Sequence, residues 1–215
     1  MAPKSPKSRI SAKPHKATWD KAEPDQRRDL IIDVAYDILT TKGIDHVTIR
    51  RVASQIGVGA MTLYTYIDGQ QGLRTALIDR GFEKMGENCD KEAKHTGDWI
   101  AGCSAYLDFA VSHPNLYNLM FAHPLDEQDL AQIQSHFDEW EKEIYDDYAA
   151  RGVPEEQIKD IVENTSRNLW IAMHGFASLL IAKRIPWNAE ENNQILQAIV
   201  TKLCPEVPAL NKTLD

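Results

Sequence analysis

The stretch TIRRVASQIGVGAMTLYTYIDGQQGL, residues 48–73, decides how this chain is read. Ile49, Val52, Ala53 and Ile56 recur at i, i+3, i+4 and i+7, which is one face of a helix. Thr48 stands just ahead of them, where its hydroxyl can cap the first free amides. Gly57 supplies the left-handed residue that ends such a helix without a Cβ penalty. A second helix is expected over 60–67, with Leu63 and Ile67 turned to the core and Ala60, Met61, Thr62, Tyr64 and Thr65 turned outward. Two short helices about a glycine turn, the second with an uncharged outer face, form a helix-turn-helix. Small and neutral side chains let the second helix enter a major groove. There the hydroxyls reach phosphates or base edges, and Ala60 and Met61 can touch a thymine methyl. Taken alone, the pattern also suits a helical hairpin in a bundle, with Tyr64 and Tyr66 as half-buried packing residues.

The flanks add to this. Residues 28–77, RDLIIDVAYDILTTKGIDHVTIRRVASQIGVGAMTLYTYIDGQQGLRTAL, resemble the TetR/AcrR family of bacterial transcriptional regulators. That family opens with an amphipathic helix ending in Gly. It continues with a T-I-R-x-V-A-x-x-I/L-G-V helix, here 48–58, and a T-L-Y-x-Y/H recognition helix, here 62–66. The run GVGAMTLY at 57–64 resembles one subgroup. The family usually carries Lys at the start of the following helix; this chain has Gln70, so a phosphate-contacting cation is absent. The usual Phe after the recognition helix is Ile67. Two further runs, HPNLYNLMFAHP at 113–124 and LWIAMHGFASL at 169–179, resemble a C-terminal domain type of the same family. The resemblance thus covers most of residues 28–185. It implies an all-α fold, with an N-terminal helix-turn-helix domain and a C-terminal helical domain for effector binding and dimerisation. It implies a homodimer on a palindromic double-stranded operator, acting as a ligand-responsive repressor. The candidate DNA contacts are Thr48, Arg50, Gly59, Ala60, Met61, Thr62, Tyr64, Thr65, Tyr66 and Gln70.

Charge is unevenly placed. The 215 residues carry a net −8, but residues 1–80 hold 13 Lys/Arg against 9 Asp/Glu, while 81–215 hold 11 against 23. A basic end on an acidic body suits a protein that meets nucleic acid at one end only. Residues 1–24 alternate Lys4, Lys7, Arg9, Lys13, Lys16 and Lys21 with Pro3, Pro6, Pro14 and Pro24. That composition predicts a basic, disordered arm, either solvated or following phosphates. The expected division is 1–24 arm, 25–72 helix-turn-helix and 73–215 effector-binding and dimerisation domain. Cys89, Cys103 and Cys204 are odd in number and show no C-x-x-C spacing, which points to a reducing cytoplasm. No apolar run approaches the roughly 20 residues of a membrane span.

The remainder reads as helices. Leu30, Ile31, Val34, Ala35, Ile38 and Leu39 make the stripe of a helix over 26–42, stopped at Gly43. A long helix expected over 154–184, ahead of a last one capped by Asn188 and running to Leu203, contains LWIAMHGFASLLIA, apolar on nearly all sides and too short to span a bilayer. One face can pack into its own domain and the other needs a partner. The resemblance supplies one, a four-helix interface between subunits through Met173, Ala177, Leu180, Ile181, Ile195 and Ile199. Trp99, Tyr106, Phe109, Tyr117, Phe121, Trp140, Trp170 and His174 are candidates for an effector pocket, since such pockets are mostly apolar with a few polar groups. No cofactor and no metal are expected, because His113, His123 and His136 share no helix face. An enzyme is the competing class, but the pairs Asp146/Asp147 and Glu155/Glu156 diverge on a helix, and no phosphate loop or nucleophile motif is present. A helical adaptor without DNA binding is the third class; it would need neither the neutral helix face nor the basic arm.

Overall fold

The computed structural model describes residues 15–96, 99–121 and 127–203. Among these, every regular element is helical. The chain divides into two compact units. One takes described residues 15–83 and 113–121; the other takes 84–96, 99–112 and 127–203.

In the first unit, α1 (Lys16–Lys21) precedes α2 (Pro24–Lys42). Pro24 at the first helical position needs no amide partner, and Gln26 Oε1 accepts from the Glu23 N–H at 3.0 Å. A short turn, Ile44–His46, leads to α3 (Ile49–Ile56). Thr48 caps α3 as expected, its Oγ1 accepting from the Arg51 N–H at 3.2 Å, and Gly57 leaves it at φ 89°, ψ 32°. Helix α4 (Ala60–Leu63) is shorter than the 60–67 read from the sequence. Past Leu63 the chain tightens into i→i+3 bonds, Thr65 to Thr62 at 3.4 Å and Tyr66 to Leu63 at 2.9 Å, before Ile67 closes the turn.

Helix α5 (Gly69–Thr96) begins in this unit, and α7 (Pro114–Phe121) completes it. The unit is therefore wider than the expected 25–72. Leu73, Ala76, Leu77 and Ile78 of α5 are buried, and α7 adds Leu116, Tyr117, Leu119 and Met120 to the core. Asn115 Nδ2 donates to the Leu39 carbonyl at 3.2 Å, holding α7 against the end of α2. Arg80 pairs with Asp33 at 3.4 Å and Glu83 at 3.4 Å; all three are solvent-accessible, so these pairs add little.

In the second unit, α6 (Trp99–Ser112) packs against α10 (Arg167–Ile181) and α11 (Ala189–Leu203). Helix α8 (Glu127–Ala150) packs against α9 (Glu155–Asp160). Ile144 and Tyr148 of α8 meet Ile158 and Ile161, with Trp140 and Val153 beside them. A π-helical turn, Ile161–Ser166, joins α9 to α10, so the single helix expected over 154–184 carries one wide turn in its middle. There Ser166 is buried and its hydroxyl donates to the Val162 carbonyl. No described helix is long and apolar enough to cross a membrane.

Candidate functional site

The outer face of α4 is open. Met61 is 78% exposed and Tyr64 53%, with Thr62, Thr65 and Gly59 also exposed and Ala60 partly so. Leu63 and Ile67 lie in the core, as the spacing predicts. Thr48 and Arg50 are exposed at the start of α3. Eight of the ten candidate contacts are therefore wholly or partly exposed on the paired helices, with the Thr48 hydroxyl also serving as the α3 cap.

The other two are occupied within the chain. Gln70 Nε2 donates to the Val47 carbonyl at 2.7 Å, and its Oε1 accepts from the Ile49 N–H at 3.3 Å. This residue braces the start of α5 to the start of α3 and has both ends of its amide engaged. Tyr66 turns away from Tyr64. Its ring meets Trp19 edge-on at 5.3 Å, and its hydroxyl accepts from Arg27 Nη1 at 3.0 Å. Arg27 also donates through Nε to the Trp19 carbonyl at 3.3 Å, and its guanidinium lies 5.5 Å from the Trp19 ring centre.

The expected arm is corrected by the same contacts. Residues 16–21 are helical and docked, because Trp19 is only 5% exposed and cannot be left in water beside an available aromatic face. The His15 N–H donates to the Gln55 carbonyl at 3.2 Å, so the described chain starts at the end of α3. Residues 1–14 lie outside the described ones. Trp19 and Arg27 were not singled out from the sequence; a lone tryptophan in a lysine- and proline-rich run was the available signal.

The effector candidates do not form one set. Tyr117 and Phe121 belong to the first unit, where Phe121 meets Phe82 edge-on at 5.5 Å and Tyr117 at 4.7 Å. Tyr117 is a core residue of the helix-turn-helix unit, and Phe121 is half-buried beside it on α7. Tyr106 and Phe109 are buried in α6, and Trp99 opens that helix with its side chain outside the described ones. Trp170 and His174 are brought together, stacked at 5.8 Å, and Phe137 of α8 meets Trp170 edge-on at 4.8 Å and Trp140 at 6.3 Å. Burial lowers the His174 pKa below the usual imidazole value, so it sits there neutral. Phe137 was not among the candidates, although its three-residue spacing from Trp140 places both on one side of α8. A cavity of about 470 Å³ opens elsewhere in this unit, lined by polar groups including Asn88, Glu92, Ser104, Asp108, Asn193 and Gln197 and by none of the candidate aromatics. Burial, with Glu92 nearby, raises the pKa of Asp108.

The interface candidates sort by face. Met173, Ala177 and Leu180 are buried within their own unit, and Ile181, Ile195 and Ile199 are half-buried. The open stripe of α10 is instead Ile171, 56% exposed, and Leu179, 45%, with Gly175, Ser178 and Ala182. Among the described residues no group of three metal-ligating side chains occurs.

Comparison with known proteins agrees with this architecture. A family model described as "Bacterial regulatory proteins, tetR family" matches residues 31–77, and one described as "Tetracyclin repressor-like, C-terminal domain" matches residues 99–203. The HTH-type transcriptional regulator YobS of Bacillus subtilis (strain 168) is 30% identical over 91 residues, 41% of this chain and 48% of the relative. The HTH-type transcriptional repressor DrrR1 of Streptomyces coeruleorubidus is 33% identical over 58 residues, 27% of this chain and 22% of the relative. The matches thus span about half or less of these relatives. The crystal structure of a tetR-family transcriptional regulator from Streptomyces coelicolor superposes with a TM-score of 0.62 at 21% identity, over 88% of each chain, a likeness of fold.

Proposed function

We infer that this chain, which belongs to the TetR family of bacterial regulatory proteins, is a cytoplasmic, homodimeric DNA-binding transcriptional regulator. Its role is that of a repressor released from a palindromic operator by a small molecule. The observation that carries the reading is the outer face of α4. Met61 and Tyr64 are large, largely apolar and exposed one turn apart, flanked by Thr62 and Thr65. A monomeric surface gains nothing from such a pair, whereas a major groove offers thymine methyls to Met61 and phosphates or base edges to the hydroxyls. The caps from Thr48 and Gln70 hold α3 beneath it, which is what a groove-reading element needs from its frame.

Two such faces on a two-fold dimer meet successive major grooves when their centres lie about 34 Å apart. The exposed stripe Ile171–Gly175–Ser178–Leu179–Ala182 supports pairing through α10, since small residues let a second helix approach closely. The cluster Phe137, Trp140, Trp170 and His174 supports effector binding in the second unit. Helix α5 starts beside the groove-facing helices and runs into that unit, so a ligand preferring one position of α5 would change operator affinity by its own preference, typically about 1–3 kcal/mol.

The test is a mobility shift on duplex DNA from upstream of the chain's own coding sequence. The wild-type protein retards it, and Tyr64→Ala, which removes an exposed side chain and leaves the core intact, does not. Equal binding by Tyr64→Ala would sink the groove assignment and the function built on it.

A further inference from the structure

Helix α4 is a single turn, Ala60–Leu63, and the groove-facing Tyr64 and Thr65 lie beyond it. One turn of helix does not hold its own shape in water. The two i→i+3 bonds that follow, 3.4 Å at Thr65 and 2.9 Å at Tyr66, belong to a tight turn. The direction of the Tyr64 side chain is therefore set by what grips the chain on either side. Ahead of α4 the grip is the Gly57 turn, where the Gly57 and Val58 N–H groups both donate to the Ala53 carbonyl, at 2.8 and 3.0 Å. Behind it, Ile67 is buried and Tyr66 is held at two points.

The hold on Tyr66 comes from outside the paired helices. The Trp19 ring of α1 meets the Tyr66 ring edge-on, at 5.3 Å and 87°. Arg27 of α2 donates through Nη1 to the Tyr66 hydroxyl at 3.0 Å and through Nε to the Trp19 carbonyl at 3.3 Å. Its guanidinium lies 5.5 Å from the Trp19 ring centre. The His15 N–H donates to the Gln55 carbonyl, so α1 is tied to the end of α3 as well. The clasp thus fixes the chain after α4 against both α2 and α3. Its bonds supply direction more than attraction. Both Arg27 bonds end on neutral oxygens, where a charge gains less than on a carboxylate. What an arginine adds there is a planar fork with donors at fixed angles, able to hold a carbonyl and a hydroxyl at once. Packing alone would be met by an aliphatic side chain of similar length.

We propose that Trp19, Arg27 and Tyr66 are positioning residues for base readout: they touch no DNA, and they set the direction of Tyr64 and Thr65, which immediately precede the clasped ring. The proposal rests on the DNA-binding reading above. Loss of the clasp weakens binding to the operator and spares the phosphate contacts that all sequences share.

The experiment uses the full chain and two variants that keep the packing. Tyr66→Phe removes only the hydroxyl, and Arg27→Met removes the fork and its charge. Binding to the upstream duplex and to a scrambled duplex of equal length is measured across a range of salt, well below each variant's thermal midpoint. A misdirected Tyr64 is comparable to one mismatched base pair, so affinity for the upstream duplex falls about 5- to 150-fold in either variant. Affinity for the scrambled duplex and the slope of log affinity against log salt keep their wild-type values. The double variant is no weaker than Arg27→Met alone, because both substitutions break the same bond. An upstream-to-scrambled ratio equal to wild type in both variants overturns the proposal, since the clasp then only stabilises the fold. A loss confined to Tyr66→Phe also overturns it, because Tyr66 would be reading a base itself. So does a salt slope lowered by about 0.9 in Arg27→Met, which makes Arg27 a phosphate contact. Wild-type protein with no preference for the upstream duplex fails the DNA-binding reading and this proposal with it. A wild-type preference that Tyr64→Ala loses and both clasp variants keep leaves that reading standing and overturns the proposal alone.

Discussion

Two glycines one and a half turns apart on α5 respond in opposite directions to the same added methyl. A Cβ built on Gly81 falls 2.6 Å from Met120 Sδ, 3.0 Å from Met120 Cγ and 3.2 Å from Leu116 Cδ1. Both neighbours on α7 are fully buried, so neither has space to retreat into. Relief requires a displacement on the order of 1 Å in a packed core, and overpacking of this kind costs about 1–3 kcal/mol. Against it stands the helix preference of Ala over Gly, about 1 kcal/mol in the other direction. The steric term wins, and Gly81→Ala loses about 1–2 kcal/mol. Gly86 is exposed in the same helix and a Cβ there meets nothing within 4 Å. Only the helix term operates, and Gly86→Ala gains about 0.5–1 kcal/mol. At roughly 2–4 °C per kcal/mol for a chain of this size, thermal unfolding separates the two variants by several degrees around wild type. Met120→Ala opens the contested space, so its cost is smaller in the Gly81→Ala background than alone. If Gly81→Ala proves as stabilising as Gly86→Ala, the close seating of α7 on α5 is wrong.

Four further outcomes are expected. Gln70→Ala removes both arms of the brace between α5 and α3 and lowers stability by about 1–2 kcal/mol in urea unfolding, since each net hydrogen bond contributes about 1 kcal/mol; a neutral result would show the brace to be idle. Leu179→Arg puts a charge on the open stripe of α10 without touching the core, so light scattering at micromolar concentration shows monomers where wild type is dimeric. His174 is held neutral by burial, which means the unfolded chain binds the proton more readily: stability is full above the ordinary value of 6.5 and falls as pH drops through it, and His174→Gln removes that part of the acid-side slope. Asn192 is buried on α11 with both side-chain polar atoms unpartnered, so Asn192→Leu raises stability by about 1–3 kcal/mol and a loss of stability would point to a partner there.

What was legible in the sequence follows the strength of its local signals. The α3 stripe Ile49, Val52, Ala53, Ile56, the Thr48 cap and the Gly57 stop are short-range patterns, and all stand in the structure as read. The face of α10 was not legible for a physical reason. A helix apolar on every side carries no directional signal, so periodicity states that two faces are covered without saying which one faces inward. Met173 and Ala177 went to the core, and Ile171 and Leu179 stayed outside. Tyr117 and Phe121 stand apart from Trp140, Trp170 and His174 because α7 follows 112 residues in sequence yet packs with the first unit, a long-range contact that no local pattern encodes. Trp19 and Tyr66 stand 47 residues apart, so each taken alone looked available to solvent or to DNA.

The brace and the clasp bear on the same economy of charge. A regulator must hold its reading helix rigidly while leaving that helix free of internal partners. Here the load falls on side chains just outside the groove face: Thr48 and Gln70 secure α3, and Trp19, Arg27 and Tyr66 secure the chain beyond α4. Three of the ten expected DNA contacts, Thr48, Tyr66 and Gln70, thereby carry hydrogen bonds within the chain. What remains on the paired helices is neutral, Met61, Thr62, Tyr64 and Thr65, apart from the exposed arginines at 50 and 51. A neutral face can discriminate base edges, but it contributes little to the phosphate attraction that dominates affinity. On a chain of net charge −8, that attraction has to come from cations placed close to the face and away from the acidic remainder.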